Sequence, residues 1–254
     1  MSDTTKVEIR DGVMIITINR PEAKNAINKS VAEGVAAALI ELDSNPDIQV
    51  AVLQGAGGGF SSGMDLKAFL TGELPVVEGR GFAGLTEAVV EKPLIAAVEG
   101  FALAGGFEIM LSCDLVIAAS NAKLGIPEVK RGLVAAGGGL VKMPRQMPKR
   151  LAMEMALTGN SISADRAYDI GLINKVVEPG AALDAAMELA NTIKANGPMA
   201  VKLSKQVINS TTDWTSDSMM QKQLEIVTPI FTSNDAREGP TAFAEKRAPK
   251  WTGT

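Results

Sequence analysis

The chain has 254 residues, 46% of them hydrophobic, enough to close one large core or a core with a smaller appendage. Its 25 basic and 29 acidic residues leave a net charge of -4, so no broad positive field exists to hold nucleic acid or an anionic membrane, and an anionic ligand must be met by local charges. Histidine is absent and Cys113 is the single cysteine, which excludes Ser-His-Asp and Cys-His triads, histidine metal sites, thiolate clusters and an intrachain disulfide.

The opening MSDTTKVEIRDG holds no basic segment followed by an apolar one, and no apolar run reaches the roughly 18 residues of a membrane span, so a cytoplasmic protein is expected. Residues 7–19, VEIRDGVMIITIN, read as two short strands about Asp11-Gly12, a pair favoured in tight hairpins. Small and apolar residues recur at helical spacing from Asn28 to Asp43 and stop before Asn45-Pro46; Ile48 to Leu53 then reads as a strand running into the glycines of 55–59. Leu94 to Val98 is a second such strand, followed past Gly100 by a helix from about Gly105 to Leu111, and Asp114 to Ala118 is a third. Strand alternating with helix predicts an α/β fold. Beyond Gly132 the pattern turns helical over 138–146, 149–157, 164–170, 181–195, 198–210 and 216–230, with 172–177 the one strand-like stretch. Asn196-Gly197-Pro198 stops one helix and starts the next, which predicts a core over 1–197 and a C-terminal helical segment over 198–254.

Two glycine-rich runs invite a nucleotide reading and fail it. GAGGGFSSGMDLKAF at 55–69 follows a strand and enters a helix, but the last glycine that GxGxxG requires falls on Phe60. Gly137-Gly138-Gly139-Leu140 lacks the Lys-Ser/Thr of a phosphate-binding loop. Around Gly63-Met64 and around Gly105, glycines permit tight bends and leave amides free at or near a helix start. Ordinary turns would look the same, and so would the two halves of an oxyanion hole. Asp65 is expected to cap the helix that follows Gly63.

LAGGFEIML at 103–111 surrounds Glu108 with Phe107, Ile109, Met110 and Leu111, so its carboxylate is expected to enter an enclosed apolar space, where burial raises its pKa. A glutamate that simply favours a helix N-terminus is the plainer account. Glu128, in LGIPEV at 124–129, reads alone as a solvated loop residue. If both face one cavity, repulsion and desolvation leave one acid and one base about a shared water, which is a hydration catalyst without histidine. Cys113, in the apolar LSCDLVIA, reads as a core cysteine.

With RPEAKNAIN at 20–28, GGGFSSGMDLKAF at 57–69, KPLIAAVEGFALAGGFEIMLSCDLVIA at 92–118, LGIPEVKRGL at 124–133 and EGPTAFAEKRAPKW at 238–251, in that order, the chain resembles the enoyl-CoA hydratases of the crotonase superfamily over essentially its full length. The resemblance implies an α/β, crotonase-like spiral of strand-strand-helix turns with a C-terminal helical trimerisation region, assembled as a homotrimer or homohexamer. It implies Glu108 and Glu128 as the catalytic pair, Glu128 giving the proton that reaches the α-carbon and Glu108 orienting the water, with the amides of Met64 and Gly105 as oxyanion hole. It implies coenzyme A contacts from Ala23, Lys24, Asn25 and Ala26 and from the backbone of Gly63, Asp65, Leu66 and Lys67, while Phe243 and Lys246 reach a neighbouring subunit's ligand. Lys24, Lys67 and Lys246 suit a phosphate-rich ligand. The coenzyme A thioester is then the substrate, and no separate cofactor, metal, nucleic acid or membrane partner is expected.

The chain departs from the hydratase pattern at Ala104, in place of a usual glycine, at Phe107, at Glu99, where asparagine is usual, and at Val134-Ala135-Ala136; these bear on acyl preference more than on reaction type. Residues 81–108 and the C-terminal tail look more like carnitinyl-CoA dehydratases, which handle a charged acyl group. An isomerase would need only one of the two carboxylates, and non-catalytic RNA-binding relatives exist, against which the acidic charge and the intact pair both count.

Overall fold

The computed structural model describes residues 3–254. A hairpin opens it: β1 (Thr5–Arg10) and β2 (Val13–Ile18) pair antiparallel about Asp11 at φ 48° and Gly12 at φ 75°, the left-handed backbone of a tight turn. Asn28 caps α1 (Lys29–Ser44) by accepting from the Val31 amide, and the helix ends at Asn45. Next come β3 (Val50–Gly55), α2 (Leu66–Leu70), β4 (Val76–Val77), β5 (Gly81–Phe82), β6 (Leu94–Val98), β7 (Phe101–Leu103), α3 (Gly105–Met110), β8 (Leu115–Ala119) and β9 (Lys123–Gly125). After a 3-10 turn over Pro127–Arg131 follow α4 (Gly139–Gln146), α5 (Lys149–Thr158), β10 (Ile162–Ser163), α6 (Ala164–Asp169), β11 (Lys175–Val177) and α7 (Ala182–Lys194). The chain closes with α8 (Pro198–Ser210), α9 (Met219–Val227) and α10 (Asn234–Ala244).

The main sheet has six strands in the order β1-β2-β3-β6-β8-β11, and every pairing after the first hairpin is parallel. Its inner strands β2, β3, β6 and β8 are buried on both faces, so alternate residues enter different cores. Val13, Val50, Val52, Ile95, Ala97 and Ile117 pack on the small side chains of α7, Ala182, Ala185, Ala186 and Ala190. Met14, Ile16, Leu53, Leu94 and Val98 face the larger core with Val31, Val35 and Leu39 of α1 and the rings of Phe60 and Phe107. Each large side chain so buried contributes about 1.5–3 kcal/mol, against about 0–1 kcal/mol for a surface ion pair, so the two faces hold the fold.

A second sheet of three strands, β10-β9-β7, escapes the sequence reading, which anticipates a single strand beyond Gly132. Strands of two or three residues are too short to display a period; register with their neighbours makes them strands. The anticipated strand 172–177 contracts to β11, and α10, which carries Pro240 inside it, is also absent from the sequence reading. Helices α8 and α9 bury no residue; α8 is tied to the core by the Lys205–Asp114 pair at 2.6 Å and by Lys202–Glu91. The tail folds back, with Trp251 Nε1 donating to the Ala195 carbonyl at 2.8 Å and Asp235 accepting from the Thr252 and Gly253 amides at 2.7 and 3.0 Å. Among the described residues no helix is long and apolar enough to cross a membrane.

Candidate active site

Strand β7 organises the site. On one side it bridges Ser61, with the Leu103 amide donating to the Ser61 carbonyl at 3.0 Å; on the other it pairs parallel with β9, Leu103 opposite Gly125. Three parallel segments therefore run out at the same level. Met64, Gly105 and Glu128 lie just beyond their ends, Glu108 one helical turn after Gly105, and all four line one cleft of about 1420 Å³.

Close packing brings the two backbone donors together. Gly63 adopts φ 93°, and a Cβ there would lie 2.7 Å from the Gly105 nitrogen, so the following Met64 amide stands beside the Gly105 amide only because Gly63 has no side chain. Among the described residues neither amide donates to a protein acceptor. Ala104 sits at φ 53° and ψ -129°, a glycine-like conformation, and its own amide is anchored on the Gly125 carbonyl at 2.8 Å. Its ψ sets the plane of the 104–105 peptide and so the direction of the Gly105 N–H. Such strain costs about 1–3 kcal/mol and persists because the surrounding pairings impose it.

The two carboxyl groups meet different surroundings. Glu108 is 3% exposed, and its Oε1 accepts from the Gly139 amide at 2.9 Å. Burial raises its pKa, while the Gly139 and Gly137 amides and the charge of Lys142 pull it back down. The expectation of apolar neighbours on every side is thus corrected: the glycine run dismissed as a phosphate loop is what receives this carboxylate. A Cβ on Gly137 would lie 2.6 Å from Glu108 Oε2, which is why the run cannot carry side chains there. Glu128, far from being freely solvated, is partly buried in its 3-10 turn and has Oε2 buried with no hydrogen-bond partner. Burial pushes its pKa up to about 7, with the Glu108 charge adding to it while a hydrogen bond from its own backbone amide and the charge of Arg131 oppose.

Of the residues assigned from the sequence, Ala23, Lys24, Ala26, Met64, Asp65, Leu66, Lys67, Gly105, Glu108 and Glu128 line the cleft. Gly63 lies behind it against Gly105. Phe243, 87% exposed, and Lys246 do not line the cleft of their own chain. Asp65 caps α2 through the Lys67 and Ala68 amides, as anticipated, and also pairs with Arg20 at 2.9 Å, a contact across 45 residues that no local pattern displays. Phe82, Glu87 and Arg131 also line the cleft and were missed; they sit in the two-residue strand β5, the turn after it and the 3-10 turn, short segments whose path only the tertiary structure sets. Among the departures, Ala104, Val134 and Ala136 line the cleft, whereas Glu99, Phe107 and Ala135 do not. The Cys113 thiol donates to the Ile109 carbonyl at 3.5 Å, and burial pushes its pKa up, which keeps it inert.

The sequence model of the enoyl-CoA hydratase/isomerase family matches residues 8–254. Over 253 residues the chain is 42% identical to the enoyl-CoA hydratase EchA19 of Mycobacterium tuberculosis, covering 96% of this chain and 95% of that one. Over 261 residues it is 38% identical to a carnitinyl-CoA dehydratase of Salmonella arizonae, covering 100% of both. The crystal structure of an enoyl-CoA hydratase from Mycobacterium tuberculosis H37Rv superposes on the whole chain with a TM-score of 0.97 at 55% identity, again covering 100% of both.

Proposed function

The chain belongs to the enoyl-CoA hydratase/isomerase family, and from that premise we propose that it adds water reversibly across the 2,3-double bond of an enoyl-CoA thioester. The thioester oxygen accepts hydrogen bonds from the Met64 and Gly105 amides, which are free to receive the negative charge that develops there. Each such donor contributes about 2.7–4 kcal/mol in the transition state. Glu108, held by amides that favour its ionised form, takes a proton from the water as oxygen bonds to C3. Glu128, whose pKa lies near 7, gives its proton to C2, and after the product leaves, the proton held on Glu108 is returned to Glu128 through solvent, so the cycle balances and needs no resident cofactor.

Lys24 and Lys67 line the cleft and offer positive charge to the phosphates of coenzyme A, with Phe243 and Lys246 supplied by a neighbouring copy in a homotrimer or homohexamer built through residues 198–254. One observation carries the reaction: Glu128, with a buried Oε2 that has no hydrogen-bond partner and a pKa near 7, shares a cleft with an amide-held Glu108. A charged acyl group, as in carnitinyl-CoA dehydration, is the second reading. It is favoured by Glu87 and Arg131, which line the same cleft as the apolar Phe69, Leu74 and Val76.

Crotonyl-CoA and crotonobetainyl-CoA, followed by loss of the conjugated-enoyl absorbance, test both. Glu108→Gln and Glu128→Gln should each lower kcat by about 10²- to 10⁴-fold. Unchanged rates in either variant would overturn the two-carboxylate mechanism, and turnover of one thioester alone would identify the acyl class.

A further inference from the structure

Lys142 is a half-buried cation whose contacts all lead back to the cleft. It lies three residues after Gly139 on α4, the spacing that places two side chains on neighbouring turns of one face. Its Nζ donates to the Thr86 carbonyl at 2.7 Å and to Ser112 Oγ at 2.5 Å. Ser112 Oγ in turn donates to the backbone carbonyl of Glu108 at 2.7 Å. The loop of contacts is closed: Glu108 is held at its carboxylate by Gly139 and at its carbonyl by Ser112, and Lys142 joins the two holds. Thr86 adds a third segment. Its amide donates to the Phe82 carbonyl at 3.1 Å, and the Phe82 ring packs against Gly105, where a Cβ would come within 2.5 Å of it. One ammonium thus gathers the end of α3, the start of α4 and the turn that walls the oxyanion donors.

We propose that Lys142 is a positioning residue for Glu108: its ammonium pins the first turn of α4 to the end of α3, so that the Gly139 amide stays on the Glu108 carboxylate. This rests on Glu108 acting as the base described above. A general scaffold role would be served by any side chain filling the space; this one is a cation whose charge also acts on the Glu108 carboxylate, so the charge matters as well as the anchor. The groups facing Glu108 are the Gly137 and Gly139 amides and Lys142 from the α4 segment, and Glu128 across the cleft. Lys142 itself faces Glu108, Glu87 and Cys113, and burial lowers its pKa while these groups raise it. Removing its charge removes an influence that lowers the pKa of Glu108, so the Glu108 titration must move upward.

Infrared titration of the carboxylates in the full chain reads this without any substrate, Glu108→Gln serving as the reference that isolates the band. In Lys142→Met the Glu108 midpoint should rise, and Lys142→Arg should bring it back toward wild type. On an enoyl-CoA, Lys142→Met should lose roughly 10- to 100-fold in kcat with KM little changed, and the acid limb of its pH profile should move the same way. A folded Lys142→Met in which Glu108 titrates as in wild type overturns the proposal whatever its activity. If Lys142→Met does not fold, Ser112→Ala decides: it cuts the link to the Glu108 carbonyl and should move the midpoint upward by less, and no movement is again fatal. A wild-type chain inert on enoyl-CoA thioesters but showing the titration shift would uphold the clamp and remove the hydration reading instead.

Discussion

Glu128 keeps one buried oxygen unpaired, an arrangement that suits a protonated carboxyl and penalises an ionised one. Its pKa near 7 in the folded chain, against 4.5 ordinarily, has a stability consequence of definite sign. Below about pH 4.5 both folded and unfolded chains hold the proton. As pH rises through about 7 the unfolded chain has already released it and the folded chain must ionise in an unfavourable site, so stability is lost over that window. Glu128→Gln escapes the loss, and at about pH 8 it should be more stable than wild type by about 2 kcal/mol after discounting for solvent screening. Thermal melts from about pH 4 to 8 check this; a difference that does not grow with pH would show that the carboxylate is ordinary. At this scale the proposed chemistry was legible, since two acids in a chain without histidine leave few other proton carriers. The strained backbone of Ala104 was not, because nothing about an alanine announces a positive φ.

Short and long elements differ in what their residues disclose. Helix α1 announces itself through a capping Asn28 and sixteen residues of periodic small and apolar side chains. Strands β7 and β9 span three residues each, show no period, and yet their pairing sets Glu108 and Glu128 across one cleft. Glu99 is a similar case. Read from the sequence as a departure bearing on the acyl group, it instead accepts from the Gly180 amide at 3.0 Å and the Ala182 amide at 3.0 Å, capping α7 from 83 residues away. The residue at the helix's own cap position, Ala181, has no side chain able to do so. Glu99→Ala should therefore cost about 1 kcal/mol of stability, visible as a lower denaturation midpoint, while hydration rates stay near wild type. A large change in acyl preference with no loss of stability would return Glu99 to the substrate site.

At the scale of the molecule, the inner strands of the sheet are covered on both faces, but the C-terminal helices are not so provided. Helices α8 and α9 bury nothing, and Ile208, Met220, Leu224, Phe231 and Phe243 stand exposed. A proposed homotrimer or homohexamer gives these side chains a partner. Light scattering on the eluting protein should report three or six times the chain mass, and Met220→Glu combined with Leu224→Glu should lower it; a wild-type monomer at micromolar concentration would refute the assembly.

Composition, periodicity and the spacing of glycines and glutamates determined by themselves the α/β class, the longer helices and strands, the exclusion of histidine and thiolate chemistry, and the pair of acids. These properties are local or summed over the chain, so they need no knowledge of which segments meet. The tertiary structure alone decided that Ser61, β7 and β9 end together, that a glycine run grips Glu108, and that burial pushes the Glu128 pKa up to about 7. Register, burial and electrostatic environment arise between segments distant in the chain, and no stretch of residues carries them alone.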